Sequence, residues 1–310
     1  MPTNGETLKL GRGKTLNVSN LGKKFFPSGE TKGDLLEYYT AMAKYVLPTL
    51  KDRPLVLKRF PNGINGMSFY QQKAPDDVPD GVRVEEIKND AGEKQDRVIG
   101  GDLLTLLWTI QLGAISTDPW HARVQSCDTP DYTILDLDPG PRTPFKRVVE
   151  VAHLVREQLA TLGLFGAPKT SGSSGIHIYV PLPAKTSTQT ALILAQLVAT
   201  NIAESNPKVA TVLRSVKSRP AGAVYVDYLQ NIKGKTVAAA YAVRAKPGAL
   251  VSTPLAWDEV TAGLDPREFT LHTVPERVKQ LGDIWAAQMK RKNKLSRELL
   301  AARKGASTRR

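Results

Sequence analysis

The chain has 310 residues, of which 41% are hydrophobic and 24% charged, so it can form one large domain or two small ones. Its net charge of +13 favours a polyanionic partner such as nucleic acid. The single cysteine, Cys127, excludes an intramolecular disulfide and a cysteine zinc site, and no secretory signal or membrane-spanning run is seen, so we expect a cytoplasmic protein.

The N-terminal part of the sequence predicts a polar arm over residues 1–18, then helices and short strands. Thr31 is suited to cap a helix that extends to Leu50, because apolar residues recur behind it at helical spacing. Short β-like runs separated by turn residues predict strands over 55–60, 67–71, 82–87 and 95–99. A second helix is expected over 101–112.

From Asp131 onwards, predicted strands alternate with predicted helices, which indicates an α/β or α+β layered architecture. The strands are expected over 132–138, 176–182, 223–229 and 237–243, and the helices over 144–162, 188–204 and most of 275–303. Residues 289–310 contain nine Lys and Arg against one acid, which leaves +5 for the rest of the chain. We interpret them as a basic tail with salt-sensitive affinity for phosphates.

Two aspartates lie at the end of the strand predicted over 132–138. Because side chains alternate along a strand, Asp136 and Asp138 face the same side. Two such carboxylates repel each other unless one is protonated or a cation lies between them, and Mg²⁺ and Mn²⁺ prefer carboxylate oxygens. The pair is a candidate metal platform; a strand end with two solvated acids is the alternative.

A loop rich in serine and glycine, residues 171–175, precedes the strand that contains His177. Glycines let backbone N–H groups converge on an anion, and Ser171 adds a hydroxyl donor. His177 is a candidate donor to a phosphate oxygen. A flexible turn followed by a structural histidine is the alternative.

A third aspartate, Asp227, lies inside the apolar run 223–229, where an acid is costly unless it is paired or binds a metal. Gln230 and several basic residues follow it. A third carboxylate meets the usual need of a two-metal site, and basic side chains nearby can hold a triphosphate. The alternative is an edge-strand acid followed by solvated lysines.

Together, the three motifs are the pattern of the archaeo-eukaryotic primase superfamily, and their detail resembles the polymerase domain of bacterial ligase D over about residues 18–285. The matching segments are Lys58-Arg59-Phe60-Pro61-Asn62-Gly63, Ser68-Phe69-Tyr70, Asp136-Leu137-Asp138-Pro139, Lys169-Thr170-Ser171-Gly172, His177-Ile178-Tyr179-Val180-Pro181-Leu182, Val226-Asp227-Tyr228 and Pro254-Leu255-Ala256-Trp257-Asp258. Since no ligase or nuclease segment is seen, the chain is expected to be similar to the stand-alone form, the primase-polymerase C group.

The resemblance implies a two-lobed α/β (α+β) fold with an RRM-like antiparallel catalytic sheet. The N-terminal lobe, expected over 19–125, would contact DNA and its 5′-phosphate, and the catalytic lobe is expected over 126–288. Two divalent metal ions, Mn²⁺ or Mg²⁺, would be held by Asp136, Asp138 and Asp227. The implied nucleotide-binding residues are Ser171, His177, Gln230, Arg244, Lys58, Arg59 and Arg219; Phe69 and Tyr70 would stack on bases; Asn20, Lys23 and Lys32 would bind the 5′-phosphate. A solvated surface charge is the alternative for each basic residue.

The implied activity is template-dependent addition of nucleotides, preferably ribonucleotides, to a DNA 3′-hydroxyl. The protein would fill short gaps during DNA repair in the bacterial nucleoid, as a monomer working with a separate ligase and, in end joining, with Ku. A primase, an end-joining polymerase and a degenerate DNA-binding module stay open as alternatives, whereas an Asp-x-Asp glycosyltransferase would not predict Asp227. Two departures are expected to change nucleotide affinity or sugar selection: Asp118 stands where relatives usually have histidine, and Ser174 where they commonly have lysine.

Overall fold

The computed structural model describes residues 5–11, 13–88 and 92–296. Its strands are β1 (Glu6–Lys9), β2 (Thr15–Val18), β3 (Leu55–Arg59), β4 (Phe69–Gln71), β5 (Val84–Lys88), β6 (Lys94–Val98), β7 (Asp118–Pro119), β8 (Tyr132–Pro139), β9 (Ala167–Thr170), β10 (Ile176–Pro181), β11 (Ala210–Thr211) and β12 (Val224–Asp227). Its α-helices are α1 (Lys32–Ala41), α2 (Ala43–Leu50), α3 (Leu103–Gln111), α4 (Phe145–Thr161), α5 (Thr188–Ser205), α6 (Val274–Leu281) and α7 (Ile284–Lys290). The predicted mixed α/β class with antiparallel sheets is confirmed.

The chain divides into two compact units. Unit 1 comprises residues 1–125, 236–253 and 266–283, and unit 2 comprises 126–235, 254–265 and 284–310. The segments 236–253 and 266–283 therefore differ from the sequence-based boundary, which placed them in the catalytic lobe. Hydrogen bonds hold the first of them in unit 1: the Tyr38 hydroxyl donates to the Tyr241 carbonyl at 2.8 Å, and the Ala239 N–H to the Thr117 carbonyl at 2.9 Å.

Unit 1 is built from small antiparallel sheets and packed helices. Strands β4, β3 and β7 form one sheet in that order, and β1–β2 and β5–β6 pair as two-stranded ribbons. The predicted cap at Thr31 is present as a capping box, in which Thr31 and Asp34 bond each other's backbone N–H groups. The prediction of a single helix to Leu50 is wrong in one respect. The helix is interrupted at Met42 and continues as α2, which contains Pro48.

Three other sequence-based assignments are corrected. The segment predicted as an arm contains the β1–β2 hairpin. The strand predicted over 237–243 is absent, because the buried residue Tyr241 adopts a left-handed φ of 65° and the chain turns there. The helix predicted over 275–303 is two short helices separated at Gly282, whose φ of 74° ends α6; residues 291–296 are not helical, and 297–303 lie outside the described residues.

Unit 2 is built around a sheet whose described strands lie in the order β11-β12-β8-β10-β9. Every neighbouring pair is antiparallel except β11–β12. The Thr133 hydroxyl donates to the Ala191 carbonyl of α5 at 2.8 Å, so this position of β8 faces the helices. Since side chains alternate along a strand, Asp136 and Asp138 face the opposite side of the sheet.

The aspartate-bearing face is apolar at its other end. There Tyr179 lies between Tyr132 and Trp285 of α7, with ring centroids 4.7 Å from each. Asn293 fixes the chain after α7, because its side chain bonds both the N–H and the carbonyl of Phe165 and also the Pro181 carbonyl, at 2.7 to 2.9 Å. These contacts cover the apolar end of the sheet face but not the end with Asp136 and Asp138. Within the part of the chain that is described, no helix has the length and apolarity needed to cross a membrane.

Candidate active site

Four polar side chains form a row across four adjacent strands of unit 2. Asp136 on β8 is paired with His177 on β10 and, on its other side, with Asp227 on β12; His177 is in turn paired with Lys169 on β9. Directly opposed residues of antiparallel strands point to the same face, so all four share the face opposite α5. Asp138, two residues beyond Asp136, is on this face as well.

The row is buried and connected. Lys169 is fully buried, and its Nζ lies 2.8 Å from Nδ1 of His177. The other ring nitrogen of His177, Nε2, lies 3.2 Å from Oδ1 of Asp136. Because a buried charge is costly unless it is paired, this chain of contacts accounts for a buried lysine on β9, at one side of the sheet.

Asp227 is held by three neighbours. Its Oδ1 accepts hydrogen bonds from the Tyr225 hydroxyl at 3.1 Å and the Leu229 N–H at 2.8 Å, and its Oδ2 accepts from Gln230 Nε2 at 2.8 Å. Burial, and then the negative charge of Asp227, raise the pKa of the Tyr225 hydroxyl well above its usual value, so Tyr225 acts as a donor. Asn231 anchors the turn that carries Gln230, since its side chain bonds both backbone groups of Ile134 at 2.7 Å.

Arg219 lies against this cluster through Tyr225. Its guanidinium carbon is 4.1 Å from the centre of the Tyr225 ring, within the range of a cation–π contact. Its Nε and Nη2 donate to the carbonyls of Leu213 and Arg214, each at 3.0 Å. Arg219 therefore connects an exposed basic loop to the residue that bonds Asp227.

The loop 171–175 closes on the hydroxyl of its first residue. Ser171 Oγ accepts from the N–H groups of Ser173 and Gly175 at 3.1 and 3.0 Å, and Gly172 has a left-handed φ of 68°. These two amides therefore converge on Ser171 rather than on an outside anion, and the Ser171 hydroxyl carries one donor of its own. A Cβ on Gly175 would lie 2.3 Å from the Leu137 carbonyl oxygen and 3.7 Å from Oδ1 of Asp138, so only glycine lets the loop approach β8 this closely.

The residues on this face agree in chemistry with a divalent cation, since Asp136, Asp138 and Asp227 offer the carboxylate oxygens that Mg²⁺ and Mn²⁺ prefer. They are not gathered as a ready-made ligand cluster: among residues 5–11, 13–88 and 92–296, no three His, Cys, Asp or Glu side chains are grouped as the ligands of one ion. Both oxygens of Asp227 already accept hydrogen bonds, from Tyr225, Leu229 and Gln230.

The residues predicted to bind a 5′-phosphate lie in unit 1. Lys32 is buried, with Nζ 2.7 Å from the Ser19 carbonyl and 3.2 Å from Oε1 of Gln111, and burial together with the charge of Lys23 lowers its pKa. Lys23 donates to Oδ1 of Asn62 at 2.7 Å. Asn20 has a left-handed φ of 58°, which places a turn just before Lys23 in the sequence.

The predicted stacking residues lie on β4, also in unit 1. Phe69 and Tyr70 are exposed, by 40% and 66%, so both rings are accessible to a partner. Arg59 lies 5.2 Å from the Phe69 ring centre and Lys58 5.2 Å from that of Tyr70. Arg244 of the same unit pairs its N–H with the Leu250 carbonyl at 2.7 Å.

Three site residues, Lys169, Tyr225 and Asn231, are not predicted from the sequence. Lys169 belongs to a strand, β9, that was not predicted, and its role depends on pairing with β10. The available signal was the alternation of Tyr225 with Asp227 along one strand, which puts both on one face. No comparable sequence signal indicates Asn231.

Comparison with known proteins identifies the family to which the chain belongs. The family described as "LigD, primase-polymerase domain" matches residues 31–285. The bifunctional non-homologous end joining protein LigD of Bacillus subtilis is 32% identical over 271 residues, covering 86% of this chain and 43% of that protein. The multifunctional LigD of Mycolicibacterium smegmatis is 31% identical, covering 89% of this chain and 36% of that protein, so the chain spans less than half of these relatives. Among solved structures, the polymerase domain of Mycobacterium tuberculosis ligase D in complex with DNA matches with a TM-score of 0.81 and 28% identity, over 89% of this chain and 98% of that one. The chain therefore belongs to the LigD primase-polymerase domain family.

Proposed function

We propose that the protein is a template-dependent nucleotidyltransferase that adds nucleotides, preferably ribonucleotides, to the 3′-hydroxyl of gapped DNA during repair. The observation that carries the proposal is the presence of three aspartates, Asp136, Asp138 and Asp227, on one face of neighbouring strands β8 and β12. Acids so close together on one sheet face repel each other unless cations or donors compensate their charge. A reaction catalysed by two bound cations requires such a set of three carboxylates as ligands.

Each residue has a task in this proposal. Asp136, Asp138 and Asp227 would hold Mg²⁺ or Mn²⁺, which when bound lower the pKa of the 3′-hydroxyl and steady the triphosphate. Gln230 and Tyr225 would hold Asp227 until a cation competes for its oxygens. The hydroxyl of Ser171 would donate to the triphosphate, because Gly175 brings its loop next to Asp138.

Unit 1 would supply the DNA contacts. Phe69 and Tyr70 offer exposed aromatic faces beside basic side chains, the combination that binds unpaired bases and phosphates. The M. tuberculosis domain was solved in complex with DNA, which supports DNA as the partner. The relatives in Bacillus subtilis and Mycolicibacterium smegmatis are named for non-homologous end joining, which supports a DNA ligase as the partner that seals the filled gap, with Ku when ends are joined.

Gap filling rather than priming is favoured by Lys23 and Lys32. Both lie near the turn at Asn20, and a lysine whose pKa is lowered by burial and a like charge gains from a phosphate that compensates the charge. We therefore expect nucleotide addition to increase when the downstream end of a short gap carries a 5′-phosphate.

The test is primer extension on one gapped DNA, with and without the downstream 5′-phosphate, with rNTPs or dNTPs and Mn²⁺. Wild-type protein should extend the phosphorylated gap faster, and Lys32→Met should lose that preference while extending an ungapped primer–template normally. Lys9→Met, an exposed lysine of β1, is the control. Extension that ignores the phosphate in all three proteins would instead indicate a general primase-polymerase.

A further inference from the structure

We propose that Gln111, the last residue of α3, is a positioning residue for the recognition of a DNA 5′-phosphate, because its neutral amide holds Lys32 without cancelling the charge of the lysine. Gln111 would act through Lys32 and Ser19 and would not touch the DNA. The inference deepens the proposed function, since it rests on a 5′-phosphate site at Lys23 and Lys32.

The ammonium group of Lys32 is surrounded by neutral acceptors. Lys32 is buried, and its Nζ lies 2.7 Å from the Ser19 carbonyl oxygen, 3.2 Å from Oε1 of Gln111 and 3.5 Å from the Gln111 carbonyl oxygen. An ammonium group has three donors, so these three oxygens can take all of them. None of the three is a carboxylate oxygen, so they fix the position of the ammonium group and leave its positive charge in place.

The end of α3 is a favourable place for this charge. The last carbonyl groups of a helix have no partner within it, and the negative end of the helix dipole lies there. Lys32 is at the same time the first residue of α1, where the dipole disfavours a cation. The carbonyl and the side-chain amide of Gln111 offset that cost at the opposite pole of another helix.

The same amide fixes the start of the turn that leads to Lys23. Oε1 of Gln111 accepts from the Ser19 N–H at 3.2 Å, and Nε2 donates to Ser19 Oγ at 3.0 Å. Asn20 follows with a left-handed φ of 58°, and the Lys23 N–H closes the turn on the Asn20 carbonyl at 3.0 Å. One side chain therefore ties α3 both to Lys32 and to the turn before Lys23.

The two lysines have different roles in this arrangement. Lys23 donates to Oδ1 of Asn62 at 2.7 Å, which leaves two of its three donors for a phosphate. Lys32 uses its donors within the protein and would contribute charge. Within the described chain, a Cβ built on Gly22 would meet no atom of a non-neighbouring residue within 4 Å, so this side of the turn is open to a ligand. We therefore expect Lys23 to contact the phosphate and Lys32 to attract it.

The Gln111→Glu substitution separates the charge of this side chain from its shape. A carboxylate keeps an acceptor for Lys32 and for the Ser19 N–H, and the Ser19 hydroxyl can change from acceptor to donor, so the hydrogen bonds are kept. The added negative charge would compensate that of Lys32 and repel a phosphate. We expect a folded variant, with a Tm close to that of the wild type, that has lost its preference for a 5′-phosphate.

The measurement is fluorescence anisotropy of the 310-residue chain with one short-gap DNA whose downstream end carries a 5′-phosphate or a 5′-hydroxyl, without metal or nucleotide. The wild type should bind the phosphorylated DNA roughly 10-fold more tightly, the scale of one hydrogen bond to a charged group, and Gln111→Glu should bind both alike. Gln280→Glu makes the same change in charge on exposed surface of α6 in the same unit and should keep the wild-type ratio. A wild-type ratio in folded Gln111→Glu would overturn the proposal.

A second variant, Gln111→Met, keeps the length of the side chain and the charge of Lys32 but removes the polar atoms that bond Ser19. We expect a lower Tm and a phosphate preference between those of the wild type and Gln111→Glu. If Gln111 served stability alone, Gln111→Met would lose more of the preference than Gln111→Glu, and that order would overturn the proposal. Should Gln111→Glu not fold, an unchanged ratio in Gln111→Met would overturn it and a reduced ratio would support it.

The two proposals fail separately. If the wild type prefers the phosphorylated DNA and Gln111→Glu does not, but the wild type fails to extend a primer, the nucleotidyltransferase proposal is wrong and the role of Gln111 stands. If the wild type extends primers but binds both DNAs alike, or if Gln111→Glu keeps the wild-type ratio, the activity stands and the role of Gln111 is wrong.

Discussion

The Gly175→Ala substitution tests how closely the serine loop approaches the aspartate strand. An added Cβ would lie 2.3 Å from the Leu137 carbonyl oxygen and 3.3 Å from its carbon, although ordinary contacts begin at 3.4 Å. Both atoms belong to the backbone of β8, in the middle of the sheet, and cannot rotate away as a side chain would. The loop must therefore withdraw by roughly 1 Å, in line with the backbone shifts that overpacked sites undergo.

Two magnitudes follow from this displacement. Overpacking of this kind costs about 1–3 kcal/mol in the free energy of unfolding. For a protein of this size, each kcal/mol lowers Tm by about 2–4 °C, so we expect a fall of roughly 2–12 °C. Because Ser171 moves with the loop, nucleotide addition should fall by on the order of 100-fold, the cost of a misplacement of about 1 Å.

Thermal unfolding and single-turnover primer extension measure these effects. Gly263→Ala is the matched control, since its Cβ would meet only Thr261 Oγ1 at 3.9 Å in an exposed loop of the same unit. We expect the control to behave as the wild type in both assays. A Gly175→Ala protein whose Tm and activity equal those of the control would refute the close approach of the loop to β8.

Three further predictions follow from other parts of the chain. Asn293→Ala removes three hydrogen bonds to Phe165 and Pro181 and should lower the free energy of unfolding by about 1–3 kcal/mol in a urea titration; an unchanged midpoint would contradict that anchor. Tyr225→Phe removes one hydrogen bond to Asp227, worth about 0.5–1.5 kcal/mol, so kcat for nucleotide addition should fall by roughly 2–12-fold; equal rates would mean that this bond does not position Asp227. Replacing the basic residues beyond the described chain by Gln should flatten the salt dependence of DNA binding by about 0.9 per lost phosphate contact, and an unchanged slope would mean that the tail does not touch phosphates. These residues are Arg297, Arg303, Lys304, Arg309 and Arg310.

The strands and the chemistry at their ends could be predicted because they depend on short-range patterns. Asp136 and Asp138 share a face by alternation alone, and the β8 strand that carries them extends over Tyr132–Pro139, against a prediction of 132–138. The capping box at Thr31 is equally local, since it needs only Asp34 three residues later. The family resemblance rested on the same short motifs, and the family match confirms it.

The parts that could not be predicted depend on pairing between distant segments. Lys169 contacts His177 only because β9 pairs with β10, and no short sequence pattern predicts that pairing. Asn231 bonds Ile134, 97 positions away, which no local pattern reports. The segment 237–243 is apolar and buried like a strand, yet the chain turns at Tyr241. Hydrogen bonds of Tyr241 with Tyr38 and Asp283 outweigh the intrinsic β propensity of the segment.

The most direct test of the central claim is single-turnover nucleotide addition to the 3′-hydroxyl of a primer–template, comparing the wild type with Asp227→Asn. Asparagine keeps the shape of the side chain and removes the negative charge that a cation requires. We expect addition by the wild type with Mn²⁺, none by Asp227→Asn, and similar DNA affinity of both proteins by fluorescence anisotropy. Undiminished addition by folded Asp227→Asn would contradict the assignment of the three aspartates as the catalytic metal ligands.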